Sequence, residues 1–517
     1  MNIETVEVEK QRPPPDPGSG KRLPESLWVN RKVGLAMASS LVAAFALASA
    51  WLTPRGPVTT GEALISMALA LVVGLAAGIL TGSRWTVLMS PLVFVVVFEL
   101  ARIGTIGPTV DGIRFGSFFG ITAFVLGRVV HGLLVLAPMT LGAGFGVWLA
   151  GRLGHPTAAK MGALGWVLTG LATLALAIVA FSVALPASTA PILGPEGSTG
   201  RGVAELTRVS IAGHDLSLMI RGRSVENPIL LYLPGIPAGT DLGAMRRDAT
   251  LEQEFVVATW DRRGAGKSYA ALDPTDTFTL EQEVADTIEV TNYLRGRFDE
   301  DRIYLVGQSG GTTIGALAVQ QHPELYHAFV GVGQMVSQRE TDVMFWEDTL
   351  AWAEQTGNTA LAETLRRNGP PPYDDIWMYE PIVSHEHDWN RYPGLDVSNE
   401  MPSILFVPEY AWMDRINAFR GFLDVGAVQY PQLQELDFRQ EIPRLEVPYY
   451  MVLGEYEARG RAVLAEEWFT ALEAPVKERI IVEGGGHRAH FDKPDRFAQI
   501  MGDVLEQTRT TSIGNEG

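Results

Sequence analysis

The stretch IYLVGQSGG, residues 303–311, decides the fold of this chain. Its apolar beginning predicts a buried strand, the residues after it predict a helix, and GQSGG between them is a G-x-S-x-G turn. Gly307 and Gly311 fit such a turn because the chain bends sharply and its neighbours pass too close for side chains. Gln308 completes the turn. Ser309 would lie at the helix N-terminus, where the backbone dipole favours developing negative charge, so Ser309 is the candidate nucleophile.

Short apolar runs alternate with amphipathic stretches on both sides of this turn. The strand candidates are residues 229–233, 255–259, 303–306, 328–332, 449–453 and 479–482, and helix candidates include residues 280–296 and 312–321. This alternation predicts a mainly parallel sheet with helices on both faces. An insert at about residues 336–440 predicts a helical lid over a pocket. It is rich in tryptophan: Trp346, Trp352, Trp377, Trp389 and Trp412.

A serine hydroxyl needs a base and an orienting acid to act as a nucleophile. In folds with this turn, the chain order is serine, acid, histidine. His487 follows the last strand in a run of glycines, and these favour it over the nearby His490 because they let the loop reach Ser309. The loop after the preceding strand offers Glu455 and Glu457, and Glu457 is favoured by its distance past the strand end.

An oxyanion formed at the serine needs two backbone N–H donors. Gly310 follows the nucleophile and would supply one. The loop 234–239 follows the strand 229–233 and would supply the other from Ile236.

Two further motifs could be mistaken for ligand sites. The stretch DRRGAGKS, residues 261–268, resembles the end of a phosphate-binding loop, but Asp261 stands where that loop needs a glycine. The cluster HEHD at residues 385–388 could hold a metal, although alternate residues of a polar loop more often face water. We therefore expect no metal and no cofactor.

Composition and charge divide the chain in two. Of the 517 residues, 47% are hydrophobic and 19% charged, which excludes a disordered chain. The net charge of −18 is uneven, with +5 over residues 1–185 and −23 over residues 186–517. The acidic second part would repel phosphate backbones, which argues against nucleic acid as a partner. The chain has no cysteine, which excludes disulfides, thiolate nucleophiles and cysteine-ligated zinc.

The first part is rich in apolar stretches of nearly membrane-spanning length. They lie at about residues 33–52, 62–81, 86–101, 130–151 and 161–185, and most approach the ~20 residues that a spanning helix needs. The stretch 113–129 is ambiguous: read as re-entrant or interfacial it leaves five spans, and a sixth crossing would move the second part to the other side. Basic residues beside spanning helices usually lie in the cytoplasm. Only the five-span arrangement places all of these there: Arg31, Lys32, Arg84, Arg152 and Lys160. The sequence thus predicts a multi-pass cell-membrane protein whose second part is extracytoplasmic.

The predicted fold class is multi-domain, an α-helical transmembrane bundle followed by an α/β domain with a helical lid. The predicted boundaries are a polar flexible tail at residues 1–32, a transmembrane region of about five helices at 33–185, a linker at 186–202, the α/β domain at 203–508 and a tail at 509–517.

Several motifs of residues 203–508 occur together in one family. They are Pro234–Gly239, Asp261–Ser268, Gly307–Gly311, Gly369–Tyr373 in the lid, Ala474-Pro475 before the last strand and Gly486-His487 after it. In these the chain resembles the proline iminopeptidase-like branch of the α/β-hydrolases. The resemblance implies an α/β-hydrolase fold with Ser309 as nucleophile, Glu457 as acid and His487 as base. It also implies that Ile236 and Gly310 are the oxyanion donors.

The chain departs from that family's pattern at two places. The usual oxyanion loop is His-Gly-Gly-Pro-Gly, whereas Pro234 replaces the histidine and Ile236 a glycine. The usual residue after the serine is tryptophan, whereas here it is Gly310. These changes argue against cleavage of an N-terminal proline. The family often uses lid glutamates to bind a substrate amine, and the candidates are Glu340, Glu347 and Glu409.

The sequence therefore predicts a membrane-anchored serine hydrolase. It would cleave an ester or amide of a small molecule or short peptide through an acyl-enzyme, with aminopeptidase-like activity as one form. Two alternatives remain open: a catalytically degenerate domain that binds or senses a ligand, and an acyltransferase with the same triad. The oligomeric state is not determined by the sequence.

Overall fold

The computed structural model describes residues 30–156, 158–160, 162–192, 202–247, 249–396, 402 and 404–514. Most of the predicted N-terminal tail, linker residues 193–201 and residues 515–517 lie outside this part of the chain. The described part of the chain forms two compact units. The first unit comprises the described parts of Met1–Pro54, Ile65–Ile103 and Gly132–Ala180, and the second comprises those of Arg55–Leu64, Gly104–His131 and Phe181–Gly517. The second unit thus includes two short segments of the predicted transmembrane region, Arg55–Leu64 and Gly104–His131, and also residues 181–185 at its end.

Five apolar helices occupy the positions of the predicted spans. They are α1 (Arg31–Leu52), α2 (Thr60–Thr81), α3 (Thr86–Ala101), α4 (Phe118–Arg152) and α5 (Ala163–Ala184). Among the described residues, α1, α2, α4 and α5 are long and apolar enough to cross a membrane, whereas α3 has 16 residues. Helix α4 has 35 residues and contains π-helical turns at Val125–Val129 and Gly132–Leu136. The ambiguous stretch 113–129 is therefore in large part the beginning of this helix.

Glycines bring α2 and α4 close together within the first unit. A Cβ atom at Gly74 would lie 2.0 Å from the carbonyl oxygen of Met139, and one at Gly146 would lie 2.1 Å from that of Leu75. Small residues that allow such close backbone approach are typical of helices packed within a membrane.

The second unit contains one eight-stranded sheet. The strands are β1 (Val203–Ile211), β2 (His214–Gly222), β3 (Ile229–Leu233), β4 (Val256–Asp261), β5 (Ile303–Gln308), β6 (Tyr326–Val332), β7 (Tyr449–Gly454) and β8 (Lys477–Val482). Their order is β1-β2-β4-β3-β5-β6-β7-β8, with β3 to β8 parallel and β2 antiparallel to both neighbours. The six predicted strands match β3 to β8. The hairpin of β1 and β2 was not predicted, because β1 is a partly exposed edge strand that mixes polar and apolar residues.

Helices cover both faces of this sheet. The longer ones are α6 (Leu280–Phe298), α7 (Gly310–Gln321), α8 (Gln338–Thr356), α9 (Thr359–Asn368), α10 (Trp412–Leu433), α11 (Arg459–Ala471) and α12 (Pro494–Gly514). Shorter α-helical segments are Leu242–Arg247, Glu380–Val383, Glu386–Trp389, Phe438–Glu441 and Ala489–Asp492. The 3₁₀ turns are Leu251–Gln253, Gly266–Leu272, Thr275–Thr277, Pro323–Leu325 and Ile376–Tyr379.

One apolar core lies on each side of the sheet. Leu305 faces a core shared with α6, α7 and α11, while Val306 faces a core shared with α12. This alternation along β5 is what a strand buried on both faces requires. The predicted fold class is confirmed, and α8, α9 and α10 form the helical insert between β6 and β7.

Candidate active site

Ser309 occupies the turn between β5 and α7 in a conformation that side chains rarely adopt. Its φ is 51° and its ψ is −127°, a costly combination for a residue with a Cβ atom. Its backbone N–H donates to the carbonyl oxygen of Val332 at 2.9 Å, and its own carbonyl oxygen accepts from the Thr312 hydroxyl at 2.5 Å. These bonds hold the strained backbone in place. Observed strain of this kind is common at functional sites.

The glycines of this turn are required by close backbone contacts. A Cβ atom at Gly311 would lie 2.3 Å from the carbonyl oxygen of Leu233, and one at Gly307 would lie 2.6 Å from that of Gly311. Both distances are far below van der Waals contact. The predicted reason for these glycines therefore agrees with the packing around the turn.

Glu457 and His487 form a hydrogen bond between two neighbouring loops. Oε2 of Glu457 lies 2.8 Å from Nδ1 of His487, and Oε1 accepts from Nε of Arg461 at 2.7 Å. Burial alone would raise the pKa of the Glu457 carboxyl, but the charges of His487 and Arg461 outweigh it and lower this pKa to about 2. Glu457 is therefore ionised near neutral pH. It can hold the imidazole with its Nδ1 proton towards the carboxylate, which leaves Nε2 free to act as a base.

The two rival residues have other partners. Glu455 is exposed and accepts from the backbone N–H of Gly484 at 2.8 Å. His490 is buried with Nε2 2.9 Å from the Tyr232 hydroxyl, and burial lowers its pKa well below the ordinary value. A buried neutral histidine bonded to a tyrosine is a packing element of the domain.

Ser309 and His487 line one cavity of about 260 Å³ beneath the lid. This volume lies below the ~300–1,000 Å³ that is usual for drug-sized ligands, so a small group fits. Ile236 and Gly310 also line it. The other lining residues are Pro108, Phe119, Pro237, Met335, Gln338, Thr341, Asp342, Phe345, Ile376, Trp377, Tyr379, Ile382, Val383, Glu386, Phe422, Leu423, Gly426, Tyr430 and Arg461. The wall is thus mainly apolar with a few charged groups.

Ile236 and Gly310, at which the chain departs from the family pattern, lie next to each other in the structure. A Cβ atom at Gly310 would lie 2.4 Å from Cβ of Ile236 and 2.6 Å from its Cγ1. The Ile236 side chain therefore fills the volume that any side chain at position 310 would need. The isoleucine and the glycine form one coupled change in the cavity wall.

Arg262 supports the loop that carries Ile236. Its Nη2 donates to the carbonyl oxygens of Pro234 and Gly235 at 3.2 and 2.8 Å, and its Nη1 donates to Glu283 at 2.9 Å. Arg262 is only 1% exposed, so these bonds are shielded from water. The stretch 261–268 thus has a structural role that sequence reasoning missed. An arginine directly after a buried strand was the available signal.

Asp342 and Glu386 are lid carboxylates that line the cavity, and this position of Asp342 was not predicted from the sequence. Asp342 accepts hydrogen bonds from the Tyr430 hydroxyl at 2.6 Å, the Gln338 amide at 2.8 Å and the Gln434 amide at 3.0 Å. Burial outweighs these donors and raises the pKa of Asp342 to about 6.

The lid glutamates proposed from sequence point elsewhere. Glu340 pairs with Arg439, and Glu347 pairs with Arg459 at 2.8 Å. Glu409 accepts from the Thr189 hydroxyl at 2.9 Å. These three side chains are not among the residues that line the cavity.

One of the five lid tryptophans reaches the cavity. Trp377 lines it, whereas the Trp346 indole donates to the carbonyl oxygen of Leu365 within the lid. Trp352 and Trp389 pack against other lid rings, and Trp412 is 42% exposed. Most of the tryptophan content therefore stabilises the lid itself.

Residues 228–494 match the model of the family described as alpha/beta hydrolase fold. The chain is similar to "Probable aminopeptidase YbaC" of Bacillus subtilis, 26% identical over 305 residues that cover 58% of this chain and 96% of that protein. It is also similar to "Putative carbamate hydrolase RutD" of Enterobacter cloacae, 21% identical over 278 residues that cover 53% of this chain and 90% of that protein.

Among solved structures, a proline iminopeptidase of Mycobacterium smegmatis is similar, with 16% identity and a TM-score of 0.45 over 60% of this chain and 100% of that one. The relatives and the family match support a hydrolase. Because the matched region spans more than half of the 517 residues, the chain belongs to the alpha/beta hydrolase fold family.

Proposed function

We propose that this chain is a membrane-anchored serine hydrolase that acts through Ser309, His487 and Glu457. The observation that carries the proposal is the 2.8 Å hydrogen bond between Glu457 and His487 beside the cavity that Ser309 lines. The strained backbone of Ser309 at the start of α7 supports the same role.

The reaction follows from these groups. Nε2 of His487 takes the proton of the Ser309 hydroxyl while Oγ bonds to the carbonyl carbon of an ester or amide. The backbone N–H groups of Ile236 and Gly310 stabilise the oxyanion. The carbon–oxygen or carbon–nitrogen bond then breaks, and His487 gives its proton to the leaving group. Water, activated by the same histidine, releases the acid and restores the serine.

The apolar helices support the membrane anchor. Helices α1, α2, α4 and α5 have the length and composition of spanning helices. The distribution of basic residues favours an extracytoplasmic position for the hydrolase domain.

The cavity favours an aminoacyl group with an apolar side chain. Phe345 and Trp377 provide apolar wall, while Asp342 provides a carboxylate that can pair with a protonated amine. The similarity to a protein named as an aminopeptidase supports this class of substrate.

The pH dependence of substrate choice tests the role of Asp342. With a pKa of about 6, Asp342 gains a proton as the pH falls from 7 to 5 and loses its attraction for an amine. The substrate α-amine keeps its charge over this range because its pKa lies near ~7.7–8.0. We expect kcat/KM for a free phenylalanine p-nitrophenyl ester, divided by that for the N-acetylated ester, to fall about tenfold. The Asp342→Asn variant should abolish this dependence, and an equal slope in that variant would exclude Asp342.

Covalent labelling tests the proposed function as a whole. Wild-type protein treated with a fluorophosphonate probe should carry the label on Ser309, identified by mass spectrometry of its peptides. A folded protein that takes up no label would contradict the hydrolase and favour a binding or sensing domain. Analysis of the products with an added acceptor alcohol separates hydrolysis from acyl transfer, because both pass through one acyl-enzyme.

A further inference from the structure

We propose that residues 104–131, the segment that leads into and opens α4, form one wall of the substrate cavity and limit the size of the acyl group. The inference rests on the proposed serine hydrolase and extends it to substrate selection. It assigns a role in substrate selection to a segment that the sequence alone associates with the membrane region.

Two side chains of this segment reach the cavity. Pro108 and Phe119 line it together with Ser309 and His487. The ring of Phe119 packs edge-on against Phe422 of α10, with ring centres 5.7 Å apart. These residues all belong to the second compact unit, so the wall is part of the hydrolase unit itself.

A buried carboxylate fixes the first part of the segment. Asp424 of α10 accepts from the backbone N–H and the hydroxyl of Thr109 at 2.9 and 2.6 Å, and from the Tyr269 hydroxyl at 2.6 Å. Arg55, from the other short segment of this unit, lies 3.4 Å from the same carboxylate. Asp424 is fully buried, and a buried charge requires such partners. Thr109 therefore holds the neighbouring Pro108 at the cavity.

Two further contacts fix the beginning of α4. The backbone N–H of Phe119 donates to Glu380 of the lid at 3.1 Å. Arg420 of α10 is fully buried, and its Nη2 donates to the carbonyl oxygen of Leu126 at 2.9 Å. Its Nη1 donates to the carbonyl oxygen of Pro57 at 2.9 Å. The hydrolase unit thus uses buried charged side chains to bind both short segments, which gives Phe119 a defined position.

Phe119 and its neighbour Phe118 provide a matched pair of variants. Phe119 lines the cavity, whereas Phe118 is 71% exposed and is not among the lining residues. In the full-length protein, Phe119→Ala should enlarge the acyl pocket and raise the kcat/KM ratio of p-nitrophenyl hexanoate to p-nitrophenyl acetate by about tenfold. Phe119→Trp should lower this ratio below that of wild type. Phe118→Ala should leave the ratio within about twofold of wild type.

The outcomes separate this inference from the proposed function. Wild-type protein that neither hydrolyses the acetate ester nor takes up fluorophosphonate contradicts both. If wild type is active but Phe119→Ala and Phe118→Ala give the same ester ratio, the proposed cavity wall is wrong and the proposed hydrolase is unaffected. If Phe119→Ala unfolds, Phe119→Leu and Phe119→Trp still decide, because a wall residue must move the ratio in opposite directions with smaller and larger side chains.

Discussion

Replacing Ser309 with alanine is expected to lower kcat for ester hydrolysis by about a millionfold and to abolish fluorophosphonate labelling. Without Oγ the proposed acyl-enzyme cannot form, so only the cavity and the proposed oxyanion donors would still act on the substrate. The fold should persist, because the backbone bonds of residue 309 to Val332 and Thr312 do not involve its hydroxyl.

The matched control for this variant is Ser384→Ala. Ser384 is an exposed lid residue, so its loss should leave both kcat and labelling near wild type. Thermal unfolding of each variant shows whether it has kept its fold. If a folded Ser309→Ala protein still reacted with the probe, another residue would be the nucleophile and the proposed mechanism would be wrong.

Glu457→Gln is expected to lower kcat about 10⁴-fold with a much smaller effect on KM. The glutamine amide can donate to Nδ1 of His487 and so stabilise the wrong tautomer, whose Nε2 cannot accept the serine proton. The variant should stay folded, because the buried charge of Arg461 is still paired with Glu386. Glu455→Gln, on the same loop but exposed, is the control and should retain wild-type kcat.

Stability against acid offers a second measurement on the same variant. The lowered pKa of Glu457 means that this carboxyl stabilises the fold above the unfolded-state value of 4.5, and that the contribution disappears as the pH falls towards about 2. The free energy of unfolding of Glu457→Gln should therefore change less over this interval than that of wild type. In the kinetic measurement, a similar kcat for Glu457→Gln and Glu455→Gln would show that Glu457 has no role in the mechanism.

Local patterns were sufficient for much of the fold. The strands β3 to β7 are short apolar runs buried on both faces, and β8 is recognisable from its short apolar run although most of its residues are exposed. The glycines around Ser309 predict the sharp turn. The choice of Glu457 over Glu455 depended on loop length and agrees with its contact to His487. Its role in catalysis stays a prediction.

Long-range packing could not be derived in the same way. Phe119 lies far from Ser309 in sequence, and an aromatic residue in an apolar stretch looks like any membrane-facing side chain. Asp342 carries no local motif, and its place at the cavity depends on how α8 packs against the other lid helices. The hairpin of β1 and β2 lacks the continuous apolar run that revealed the other strands.

The contact between Ile236 and Gly310 constrains how this enzyme can diverge. An alanine at position 310 would collide with the isoleucine, so the branched residue must be lost before position 310 can acquire a side chain. Mutant libraries that randomise position 310 alone should therefore return glycine. Only libraries that vary positions 236 and 310 together should yield the tryptophan that is usual after the serine in the proline iminopeptidase-like branch.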